Sequence, residues 1–99
     1  MAHRVVYTPD AEDHLAAILR FVAEGSSFET AEAFVGGLER HCDGLADFPR
    51  RGTPVGKSER GVRALVYRGR ATITYMVEND TVTILGVFYA GRDWRGKFD

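Results

Sequence analysis

The chain is 99 residues long, 44% apolar and 27% charged, which fits one folded domain spanning residues 1–99 and excludes a disordered segment. No apolar run approaches the ~18 residues a membrane span needs, and MAHRVVYTPD has no apolar signal core before Pro9 and Asp10, so the expected location is the cytoplasm, without membrane contact. The net charge of −1 conceals a division: residues 1–47 carry three basic side chains against nine acidic ones, residues 48–99 ten against five, or −6 and +5, which suggests one basic surface for a polar partner.

His3–Thr8 (HRVVYT) is β-branched and aromatic and predicts a short strand. Thr8-Pro9-Asp10 then reads as a helix start: Thr8 caps, Pro9 suits the first helical position, and Asp10, Glu12 and Asp13 face the positive end of the dipole. Ala11, Leu15, Ile18, Leu19 and Val22 follow helical spacing up to Gly25. Ser27 caps a second helix whose apolar stripe is Ala31, Phe34, Leu38, Cys42 and Leu45, with Phe48-Pro49 as its stop. Gly36-Gly37 inside it predicts either a close approach of the two helices or a kink. The short turn between the helices predicts an antiparallel αα-hairpin. His14 is expected to face solvent, and Cys42 to be a small core residue. As the only cysteine it excludes an intramolecular disulfide and fits a reducing compartment.

After a Gly- and Arg-rich loop from Arg50 to Gly61, three strands follow: Val62–Tyr67, Ala71–Val77 and Thr81–Tyr89, with Arg68-Gly69 and Asn79-Asp80 as hairpin turns. In the middle strand Ile73, Tyr75 and Val77 are expected to meet the helices. The last strand is apolar on both faces, Val82, Ile84 and Phe88 on one and Leu85, Val87 and Tyr89 on the other, as in a central strand. The expected class is α+β: an N-terminal strand, an antiparallel αα-hairpin and a three-stranded antiparallel meander (β-α-α-β-β-β), with the helices on one face of the sheet.

In this order the pieces Thr8-Pro9-Asp10-Ala11, Ala31 with Phe34, Leu45-x-x-Phe48-Pro49-x-x-Gly52, Gly61-Val62-Arg63, Ile73-Thr74-Tyr75, Val82-x-Ile84-Leu85-x-Val87 and Gly91-Arg92-Asp93 resemble the RelE/ParE superfamily of toxins from type II toxin–antitoxin modules. The resemblance covers nearly the whole chain. It implies a growth inhibitor neutralised by a cognate antitoxin. ParE-like members inhibit DNA gyrase without hydrolysis; RelE-like members cut messenger RNA on the ribosome. The Leu-x-x-Phe-Pro loop and the short tail look ParE-like. Tyr89 stands where a histidine is common in the superfamily.

RNA cleavage by a ribose 2′-OH needs a base, charge stabilisation and an acid. Arg63 and Arg92 are candidates for charge stabilisation, Tyr89 for stacking or weak acid catalysis, and Lys57 and Arg60 for positioning phosphates; no general base is evident. The competing reading of Arg63 is an ion pair with a helix carboxylate. Gyrase binding needs only an exposed apolar and charged surface, for which Trp94, Arg95, Lys97 and Phe98 are candidates; Trp94 folded back onto the core is the competing reading. Met76, Leu85 and Val87, on a face without helices, are candidates for the antitoxin. The histidines are too scattered for a metal site, and no cofactor motif is present.

Overall fold

The computed structural model describes residues 2–56 and 61–90. Strand β1 (Arg4–Tyr7) leads into helix α1 (Pro9–Gly25) and helix α2 (Phe28–Asp43). Strands β2 (Thr53–Pro54), β3 (Val62–Tyr67), β4 (Ala71–Glu78) and β5 (Thr81–Tyr89) follow. Both helices begin where the sequence predicts. The Thr8 hydroxyl accepts from the Ala11 N–H, and the Ser27 hydroxyl accepts from the Thr30 N–H. The second helix stops earlier than predicted. It ends at Asp43 and tightens into a 3-10 turn over Gly44–Ala46, which buries Leu45 completely.

The five strands form one sheet in the order β1-β5-β4-β3-β2. The three-stranded antiparallel meander is present, and two outer strands extend it. β1 runs parallel to β5, pairing Tyr7 with Ile84, so the sheet is mixed. Parallel neighbours need a long crossover. Here the αα-hairpin and the first two meander strands supply it. Leu15, Ile18, Leu38, Cys42 and Leu45 pack on Ile73, Tyr75, Val82, Ile84 and Val87.

One irregularity decides which way β5 faces. Thr74 lies opposite Gly86, but Tyr75 lies opposite Ile84. Leu85 is therefore the extra residue of a β-bulge, and an extra residue reverses side-chain parity. Val82 and Ile84 face the helices before it; Val87 and Tyr89 face them after it. This corrects the two-face reading of the last strand. Val87 is 3% exposed within the core, not on the outer face where a partner was expected to cover it. Phe88 takes the opposite parity, opposite Thr72.

The bulge lies where β1 has ended and α1 has begun, so α1 satisfies the free edge of β5. The Thr8 N–H donates to the Ile84 carbonyl at 3.1 Å, the Thr8 hydroxyl donates to the Leu85 carbonyl at 3.1 Å, and the Val87 N–H donates to His14 Nδ1 at 3.1 Å. His14 also packs at a tilt against Phe88, with centroids 5.0 Å apart. It is half-buried, not the solvent-facing residue its sequence position suggests.

Candidate partner-binding cleft

The sheet and helices meet at the end where β3 turns into β4 and β5 finishes. The turn is tight: Arg68 and Gly69 both take positive φ, 53° and 66°, and the Arg70 N–H donates to the Tyr67 carbonyl at 3.0 Å. That geometry matches the twist of a two-residue hairpin and projects Arg68 and Arg70 outward from the sheet end. Tyr67 and Tyr89 both register with Ala71, so the two rings flank one point on β4.

Helix α2 supplies the opposite wall. Phe34 meets Tyr67 at 5.6 Å and Tyr89 at 5.5 Å, in both cases edge to face. His41 packs at a tilt on Tyr67 at 5.1 Å, its pKa lowered by burial and then by the nearby positive Arg51. Gly37 leaves room for the Tyr67 ring: a Cβ there would fall on the Tyr67 hydroxyl. Gly37 therefore serves a helix–strand contact rather than the expected helix–helix approach or kink, while Gly36 has only Arg40 of its own helix nearby. Phe21 of α1 meets Tyr89 at 5.6 Å.

Between these walls lies a cleft of about 480 Å³ with Phe34, Tyr67 and Tyr89 inside and Arg40, Arg68 and Arg70 at its rim. Arg68 sits 5.4 Å from the Tyr67 ring centroid, in cation–π range. Among the described residues none of the three guanidiniums has a carboxylate partner. The cleft thus offers aromatic rings and three guanidiniums that have no carboxylate partner among the described residues. Arg40 comes from the acidic half of the sequence and joins the two turn arginines only through the fold. Tyr67, Phe34 and Arg40 were not predicted as site residues, and nothing local in the sequence signals their convergence.

Arg63 sits elsewhere. Its Nη1 donates to the Gly52 carbonyl at 2.7 Å and the Arg50 carbonyl at 3.2 Å. The Gly52 N–H donates to the Tyr75 hydroxyl at 2.8 Å, and burial raises the Tyr75 pKa against the pull of that bond and of the arginines. Arg63 registers with Tyr75 and Ile84, whereas Tyr89 registers with Ala71. The two are thus displaced by about four residues along the strands, roughly 13 Å, and are not brought together. Half-buried Arg63 pairs with carbonyls and not with a helix carboxylate. Met76 and Leu85 are half-buried, Met76 between Val62 and Thr83 on the outer face and Leu85 at the bulge. Lys57, Arg60, Arg92, Trp94, Arg95, Lys97 and Phe98 lie outside the described residues. Among the described residues no metal-ligating group forms, and no helix is long and apolar enough to cross a membrane.

This fold recurs in toxin–antitoxin structures. The chain superposes on a chain of the chromosomal ParDE system from P. aeruginosa with a TM-score of 0.77 at 20% identity, covering 90% of this chain and 97% of that one. It superposes on a chain of the RelBE2 toxin–antitoxin complex from Mycobacterium tuberculosis with a TM-score of 0.66 at 19% identity, covering 90% and 92%. No curated protein sequence matches. Residues 5–94 match the model of the ParE toxin of the type II toxin–antitoxin system parDE, and the chain belongs to that family.

Proposed function

We propose that this chain is the toxin of a type II module, that a cognate antitoxin silences it, and that the free toxin inhibits DNA gyrase by protein contact in the cytoplasm. The family match over residues 5–94 carries this reading. The cleft supports the antitoxin part. An acidic segment with one apolar side chain would place that side chain on Phe34, Tyr67 and Tyr89 and its carboxylates on Arg40, Arg68 and Arg70. Met76 and Leu85 offer a second apolar contact on the outer face, and Trp94, Arg95, Lys97 and Phe98 further contacts in the tail.

Binding also fits the described side chains better than bond cleavage does. Arg63 is held by two carbonyls, and Tyr89 is packed against Phe21 and Phe34. Neither is presented as a phosphate-cleaving pair with a base beside it. A supercoiling assay with purified chain tests the target. Inhibition at micromolar toxin, relieved by the antitoxin, is expected. Unaffected gyrase together with messenger RNA cut in a ribosome-containing reaction would replace this reading with the nuclease one, in which Arg92, Lys57 and Arg60 would handle phosphate.

A further inference from the structure

We infer that the loop from Asp47 to Gly52 is a preformed docking epitope for an acidic protein surface with an apolar recess, and that Phe48 is its anchor. The inference rests on the toxin reading and names the surface that meets the target. Phe48 is 68% exposed, the most exposed of the large apolar residues described. Phe21, nearly as exposed, already leans on Tyr89; among the described residues Phe48 has no such ring contact. Pro49, Arg50 and Arg51 surround it in a shallow depression that also includes Asp47.

An exposed aromatic ring on a loose loop is unremarkable, because ordering it on binding costs free energy. This loop is already ordered. The Phe48 N–H donates to the Gly44 carbonyl at 3.3 Å and its carbonyl accepts from the Arg51 N–H at 3.2 Å. At the end of the loop, Gly52 is held on both sides, by Tyr75 at its N–H and Arg63 at its carbonyl, and Arg63 also holds the Arg50 carbonyl. The interior thus commits a buried tyrosine and an arginine to the shape of a segment whose own most prominent side chain is left in water. A rigid aromatic ring flanked by arginines is the composition of an interface hot spot.

Charge selects the occupant. Arg50 and Arg51 have no carboxylate partner among the described residues, so they call for acidic groups. Asp47 beside them disfavours a polyanionic strand, which favours a protein surface over a nucleic acid. The epitope shares no lining residue with the aromatic cleft, so target and antitoxin contacts are separable by mutation.

The experiment compares wild type, Phe48→Ala and Arg50→Glu/Arg51→Glu in three readouts: growth arrest on expression, binding to immobilised gyrase subunits, and capture of the antitoxin encoded beside the chain. Phe48→Ala is expected to keep its thermal midpoint and its antitoxin binding and to lose about tenfold or more in growth arrest. The double variant is expected to lose arrest as well, and wild-type target binding to weaken with salt. Undiminished arrest by Phe48→Ala overturns the inference. So does loss of antitoxin capture with arrest retained, or binding of a single-stranded oligonucleotide that Phe48→Ala abolishes. If wild type arrests growth but does not bind gyrase, the gyrase target fails and the loop is judged on growth arrest alone. A wild type that arrests nothing overturns both.

Discussion

Replacing Gly37 by alanine sets helix propensity against packing. Alanine is favoured over glycine inside a helix by about 1 kcal/mol, so at an open position the change would stabilise. At Gly37 the new Cβ would lie 2.0 Å from the Tyr67 hydroxyl oxygen and 3.0 Å from Cζ, where ordinary contact begins near 3.4 Å. The ring must therefore retreat by about 1.4 Å, the difference between 3.4 and 2.0. It cannot do so freely, because Phe34 and His41 pack against it. Overpacking of this kind costs about 1–3 kcal/mol. The net expectation is a destabilisation of roughly 0–2 kcal/mol, the sum of the two effects. Tyr67→Phe removes the oxygen, so the nearest atom becomes Cζ and the required retreat falls to about 0.4 Å, from 3.4 less 3.0. In that background Gly37→Ala is expected to be neutral or stabilising by up to about 1 kcal/mol. Because the propensity gain is common to both backgrounds and cancels, urea unfolding of the four proteins in this cycle should return the overpacking cost relieved by Tyr67→Phe as a coupling of about 1–3 kcal/mol. Additivity within about 0.5 kcal/mol would refute the assignment of Gly37 to the Tyr67 ring.

Other consequences can be checked on the same protein. Gly52→Ala places a Cβ 2.8 Å from the Ala64 backbone carbonyl and 2.7 Å from the Tyr75 hydroxyl; because a strand carbonyl yields little, a loss of about 2 kcal/mol or more is expected by denaturant unfolding, and a cost under about 0.5 kcal/mol would contradict the close fit. His14→Ala removes the acceptor for the buried-edge Val87 N–H and a ring from Phe88. A cost of about 1–3 kcal/mol should appear with faster amide exchange at Val87, and unchanged exchange would count against that bond. Cys42 is fully buried and its thiol is pushed by burial from 9.0 up to about 12, so iodoacetamide at pH 8 should leave native protein unlabelled and label it on unfolding; rapid native labelling would refute this. The same shift has a sign in stability. The folded chain keeps a proton that the unfolded chain releases, so stability holds below pH 9 and falls as pH rises towards 12, by about 1.4 kcal/mol per unit from this group. Tyr7, also raised by burial, adds to the slope, and Cys42→Ala should make it shallower.

Much of the fold is legible in the sequence because it is decided within a few residues. Thr8 and Ser27 reach N–H groups three residues ahead, Pro9 sits where it costs no hydrogen bond, and Ala31, Leu38 and Cys42 recur at the helical period and are all fully buried. The turn at Arg68-Gly69 and the alternation in β4 are equally local. The ordered set of short motifs that resembles the RelE/ParE superfamily agrees with the family match over residues 5–94.

What only the tertiary structure decided depends on contacts between residues far apart in sequence. A single extra residue, Leu85, switches the parity of β5 and carries Val87 and Tyr89 to the helix side; alternation read from the sequence has no means of detecting an extra residue, since a bulge is defined by the partner strand. Arg40, 28 and 30 residues before Arg68 and Arg70, joins them because α2 packs over the end of the sheet. Arg63 looks like a phosphate ligand in isolation and is instead a donor to two loop carbonyls that β3 brings beside it. Residue type determines what a side chain can bond to; register and packing determine which of those partners lies within hydrogen-bond reach, and so whether an arginine is free to act or already engaged.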